Sequence, residues 1–125
     1  MKKNIFLIVF AFTFAGFYAN AQAQNHEAHH KTELKKEIFT VYGNCGMCER
    51  TIEGSLKDVE GVTLADWDKE TDQMTVSFNP EAITLDAIKK KIAHVGYDSD
   101  THRAKDEVYN SLPGCCQYER PSNKN

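Results

Sequence analysis

The spacing of apolar residues changes period between residues 38 and 52, and two cysteines sit at the change. Ile38-Phe39-Thr40-Val41-Tyr42 alternates as a strand does, with Phe39 and Val41 on one face. Past the cysteines, Ile52, Leu56 and Val59 recur at the spacing of a helix that buries one side. Cys45-Gly46-Met47-Cys48 therefore occupies a strand-to-helix turn, with Cys48 in or near the first helical turn. Free backbone N–H groups and the positive end of the helix dipole gather there. Both favour the thiolate, the form that binds metals and attacks disulfides. The stretch reads as an exposed, activated dithiol with three uses open to it: holding a metal, cycling as a disulfide, or stapling the loop.

A chain of 125 residues accommodates one domain plus extensions. Its formal charge of −3, with no Lys/Arg-rich face, argues against nucleic-acid binding, because phosphate neutralisation needs clustered positive charge. Lys2 and Lys3 precede a nearly unbroken apolar run from Ile5 to Phe17, and Ala19-Asn20-Ala21 and Ala21-Gln22-Ala23 fit the small-x-small cleavage rule. Residues 1–23 are thus expected to be a secretory signal peptide, since the run falls short of the roughly 20 apolar residues that span a bilayer. Cleavage would make the protein periplasmic or secreted, and in such a compartment idle thiols tend to pair. The four cysteines, Cys45, Cys48, Cys115 and Cys116, all lie in the mature part as two close pairs. Residues 24–35 read as a flexible linker; His26, His29 and His30 in it could bind a divalent ion weakly, but closing a flexible tract costs entropy.

The unit from 36 to 104 is expected to be α+β. Strands are expected over 37–42, 62–68, 73–79 and, on a weak pattern, 98–103. Helices are expected over 48–58 and from Thr84, as N-cap, to Gly96, as the residue past the C-cap. Met74, Val76 and Phe78 alternate cleanly in the third strand, and Leu85, Ile88, Ile92 and Val95 form the stripe of the second helix. Strand-helix-strand-strand-helix-strand is the ferredoxin-like βαββαβ arrangement: a four-stranded antiparallel sheet with two helices on one face. Residues 105–125 form a C-terminal extension carrying Cys115-Cys116, with a short helix over 106–112 ended by Pro113-Gly114. Trp67 is expected to pack rather than bind, and His94 and His102 to lie on the surface.

Cys-Gly-Met-Cys between the first strand and first helix of such a unit resembles the heavy-metal-associated domain. That family includes copper chaperones, N-terminal domains of copper-transporting ATPases and periplasmic mercury-binding proteins. Val59-Glu60-Gly61-Val62 and Gly96-Tyr97-Asp98 add to the resemblance, which covers about residues 36–103. It implies Cys45 and Cys48 as ligands of a soft ion that is handed to partners, and Tyr97 beside the metal loop. Two features depart from the family pattern. Gly43 stands where the family has a buried Met two residues before the first Cys, and the Cys115-Cys116 segment lies outside the minimal domain. Leu112 to Tyr118 is similar to the ending of a periplasmic sub-branch.

Two thiolates in an open loop suit Cu(I), which accepts two or three sulfur ligands; Hg(II), Cd(II) and Zn(II) follow as other thiophilic ions. A structural Zn(II) site wants four closed ligands. Cys115 and Cys116 could complete such a set, but successive side chains are expected to diverge. The tail thiols have three further roles open: extra metal ligands, a vicinal disulfide, or a bridge to the loop. A thiol-disulfide oxidoreductase is the alternative of another class, disfavoured by Asn44 and Met47 where that chemistry usually has an aromatic and Pro. No hydrolase or transferase constellation and no phosphate-cradling loop occurs, so the chain is not expected to be an enzyme or to take a small-molecule substrate. A monomer is expected, working with a metal-transporting membrane protein or another metal-binding protein.

Overall fold

The computed structural model describes residues 32–122. The expected signal peptide, and the linker histidines His26, His29 and His30, lie outside the described residues. Three strands, β1 (Lys35–Thr40), β2 (Val62–Asp68) and β3 (Gln73–Phe78), form an antiparallel sheet in the order β1-β3-β2. Helix α1 (Gly46–Gly54) joins β1 to β2, and α2 (Leu85–His94) follows β3. No helix among the described residues is long and apolar enough to cross a membrane.

Alternation sets the layers. Met74, Val76 and Phe78 of β3 are buried, as are Phe39 of β1 and Trp67 of β2, and all meet Cys48, Ile52 and Leu56 from the α1 side and Ile88 and Ile92 of α2 in one cluster. Each fully buried Ile stabilises the fold by about 1.5–3 kcal/mol. Thr84 caps α2 by accepting from the Ala87 N–H at 3.1 Å, and Gly96 follows the helix in a left-handed conformation, φ 105°. Leu112 from the tail lies 3.1 Å from where a Cβ on Gly96 would stand.

Two expectations are corrected. The first helix begins at Gly46 rather than Cys48 and ends at Gly54, with Leu56 buried from the turn beyond. Lys89 of α2 is 7% exposed; its ammonium pairs with Asp100 at 2.8 Å and lies 4.8 Å from the centre of the Phe39 ring. The fourth strand is reduced to one bridge, Val41 to Ser99, flanked by bonds from Tyr42 N–H to the Asp98 carbonyl and from Asp100 N–H to the Thr40 carbonyl. The cause is local competition. Ser99 N–H donates to the His102 carbonyl at 2.7 Å, the Ser99 hydroxyl accepts from His102 N–H, and the Asp98 carboxylate accepts from Ala104 N–H. Polar side chains have drawn this segment into a turn before it can run along β1.

The tail is integral to the domain. Helix α3 (Asp106–Asn110) leads to a 3₁₀ turn over Gly114–Cys116, and the chain then returns to the end of α2. Tyr118 stacks on Tyr97 with ring centres 5.7 Å apart and meets Tyr109 edge-on at 5.1 Å. Its hydroxyl donates to the Gly96 carbonyl and accepts from Asp98 N–H, both buried bonds. Arg120 closes the wrap with a fork on Asp98, at 2.6 and 2.7 Å, and a further 2.6 Å bond to Asp106. Asp98 is 1% exposed, so this carboxylate depends on its partners.

Candidate metal centre

Cys45 is the N-cap of α1 and Cys48 lies in its first turn. The cap closes no formal side-chain hydrogen bond, yet the amides of Cys48 and Met47 face the sulfur. Chiefly through the Cys48 amide and thiol, they lower Cys45 to about 7, so a large share of it is thiolate at neutral pH. Cys45 is half-buried. Cys48 is fully buried, and its sulfur accepts from the Asn44 N–H at 3.5 Å. The two sulfurs stand 3.4 Å apart.

The loop is seated on Trp67. Its indole N–H donates to the Val41 carbonyl at 2.9 Å, and its ring passes 2.8 Å from the point where a Cβ on Gly43 would stand. Gly43 therefore admits the ring, and apolar support under the loop comes from β2. This accounts for glycine where the resemblance leads one to look for methionine. Trp67 is packing, as its alternating neighbours indicated, but packing that belongs to the site.

The tail brings the other two sulfurs here. Cys116 lies 3.8 Å from Cys45, and Cys115 lies 3.9 Å from Cys116. The ligand atoms of Cys45, Cys115 and Cys116 all fall within 4.8 Å of one another. The expectation that adjacent side chains diverge fails because the pair sits in a 3₁₀ turn rather than an extended strand. Successive residues there are about 120° apart instead of opposed. Burial, and then the neighbouring Cys48 sulfur, push the Cys116 thiol up to about 12, while Cys115 is exposed.

Tyr97 completes the group. It is fully buried, and its hydroxyl is the one buried side-chain polar atom without a hydrogen-bond partner among the described residues. Burial raises its pKa, and the adjacent Cys48 and Cys116 sulfurs raise it further. The five residues singled out from sequence thus converge. The two histidines do not: His102 pairs with Asp86 at 2.8 Å, and His94 is exposed elsewhere on α2. Sequence reasoning missed Trp67 as a prop, and Asp98, Tyr118 and Arg120 as the device that fixes the tail. The Gly96-Tyr97-Asp98 segment was the available signal for the last group.

A donor set of thiols, joined by no carboxylate or imidazole among the described residues, selects soft ions. Known proteins agree. The heavy-metal-associated domain profile matches residues 39–98. The copper chaperone CopZ of Staphylococcus aureus is 33% identical over 66 residues, 52% of this chain and 97% of the chaperone. A copper-exporting P-type ATPase of Staphylococcus saprophyticus is 36% identical over 63 residues, half of this chain, but the match spans 8% of the ATPase. The crystal structure of oxidized MerP from Ralstonia metallidurans CH34 superposes with a TM-score of 0.51 at 29% identity, covering 54% of this chain and 96% of that one. The CopZ relative, matched along 97% of its length, is a chaperone by name, and the ATPase is matched over a small part only. The matched region holds the cysteine loop, both helices, β2, β3 and the end of β1, and with a copper chaperone 33% identical and covered to 97% of its length the chain belongs to the heavy-metal-associated domain family.

Proposed function

We propose that this protein binds a soft cation, Cu(I) in first place, between Cys45 and Cys48 and passes it to another metal-binding protein. One observation carries the reading: a partly ionised, accessible sulfur lies 3.4 Å from a buried one at a helix N-terminus, in a domain that matches a copper chaperone along 97% of its length. Cys45 starts capture because its thiolate exists at neutral pH. Cys48, shielded from water, then binds the ion as a thiolate, its proton passing to solvent, and closes a two-sulfur clasp. Met47, half-exposed between them, leaves the ion's outer side open, so an incoming thiolate can add before an old bond breaks. A metal-transporting membrane protein is the partner class to which such an exchange is suited. The basic and apolar character of residues 1–23 supports export, and with it delivery in the periplasm or outside the cell.

Hg(II) capture is the second reading. The two tail sulfurs beside the loop favour it, because added thiolates deepen a site for any thiophilic ion. Cd(II) and Zn(II) rank below, Zn(II) because its structural sites close four ligands.

The test is Cu(I) titration of the reduced full chain against a competing chelator. One tightly held ion per chain is expected, lost in Cys45→Ser/Cys48→Ser. Tight binding that survives in that double variant would overturn the assignment of the loop, and clear turnover of a disulfide substrate would replace it with redox chemistry.

A further inference from the structure

Beyond the loop pair, we propose that Cys45, Cys115 and Cys116 form a second, three-thiolate ligand set for the same soft cation, sharing Cys45 with the loop. The inference rests on the soft-metal reading above and adds a station that the loop alone does not have.

Geometry makes the case. An ion about 2.3 Å from each of three sulfurs holds them about 4.0 Å apart. Cys45 to Cys116 is 3.8 Å, Cys116 to Cys115 is 3.9 Å, and the third edge of the triangle falls within 4.8 Å. The loop pair at 3.4 Å must open further before an ion fits between its sulfurs. Two of the three edges of the tail set already stand at that spacing.

The set is also built, in the sense that distant residues hold it in place. Arg120 on Asp98 and Tyr118 under Tyr97 fix the chain just after Cys116, Leu112 packs on Gly96 just before it, and the Asn44 amide donates to the Cys115 carbonyl at 3.5 Å. A floating tail would pay conformational entropy at each binding event; this one is ordered beforehand. The unpartnered Tyr97 hydroxyl lies beside Cys116 and Cys48, where it can donate to a sulfur that has become a metal-bound thiolate. Each thiol that ligates exchanges its S–H bond for a sulfur–metal bond and releases the proton to solvent; no electron moves. An ion captured at Cys45 is held there with Cys115 and Cys116, and exchange at the shared Cys45 carries it to buried Cys48 without release.

Cys48→Ser decides the matter, read by anaerobic Cu(I) titration and by X-ray absorption at the copper edge on the full chain. With the tail set present, Cys48→Ser still holds one Cu(I), bound by three sulfurs. Adding Cys115→Ser weakens it at least about tenfold, the lower end of what losing even an outer-shell partner costs. If Cys48→Ser binds no better than Cys45→Ser/Cys48→Ser, or if adding Cys115→Ser changes nothing, the tail station does not exist. Thermal unfolding checks that the variants are folded, and Cys48→Ala replaces Cys48→Ser if serine is not accepted at that buried position. The outcomes separate the two readings: a wild-type chain that holds no Cu(I) removes the functional assignment itself, whereas a binding wild type with an inert tail removes this inference alone.

Discussion

The metal loop and the tail present the same chemistry, two neighbouring thiols each, but they are held by different means. The loop is set by its own neighbours in sequence: a strand ends, a helix begins, and the first amides of that helix stabilise the Cys45 thiolate. The tail is set by contacts across the domain. Arg120 reaches Asp98 and Asp106, and Tyr118 seals the segment after α2. A locally encoded site survives damage elsewhere more readily than one fixed by a few long-range bonds.

The sharpest way to break that contrast is Arg120→Ala. It strips a buried carboxylate of its two-bond partner and leaves it only Arg103 at 3.7 Å, a loss of about 3 kcal/mol in urea unfolding. It should also free Cys115 and Cys116 for alkylation while Cys45 labelling changes little. Equal disturbance at both pairs would mean that the tail also shapes the loop. Tyr118→Phe is milder: it leaves the Gly96 carbonyl and the Asp98 N–H without their buried partner, at about 2 kcal/mol by the same measurement. On the loop side, Gly43→Ala pushes a methyl into the Trp67 ring, a small overpacking of about 1 kcal/mol. Stability unchanged by that substitution would show that the indole does not prop the loop.

The contrast also explains what the sequence disclosed. Phe39, Val41, Met74, Val76 and Phe78, and the stripes Ile52/Leu56 and Ile88/Ile92, follow the periods of their elements, so sheet, helices and core were legible. So was the loop site, because its determinants lie within a few residues of Cys45. The fourth strand was not, because Asp98 and Ser99 spend their polar groups on a local turn and on Arg120, a partner distant in sequence. The convergence of Cys115 and Cys116 on the loop was open as an alternative but not derivable: it depends on a 3₁₀ turn and on the Tyr97–Tyr118 stack, neither of which has a sequence period. Lys89 shows the same limit, since its burial follows from Asp100 and Phe39 across the fold.

The smallest effect concerns pH. Alkylation of Cys45 in the metal-free reduced chain should rise with pH and reach half its maximum near 7, because the thiolate forms above that value. Cys116, raised to about 12 by burial, should stay unlabelled over the same range. Matching profiles for the two would erase the electrostatic difference between loop and tail.

The central claim is that thiolates alone hold the ion. X-ray absorption at the copper edge of the full-length chain, loaded with one equivalent of Cu(I), tests it most directly. The account predicts a first shell made only of sulfur; a shell of nitrogen or oxygen, or copper that washes off the reduced protein, would contradict it.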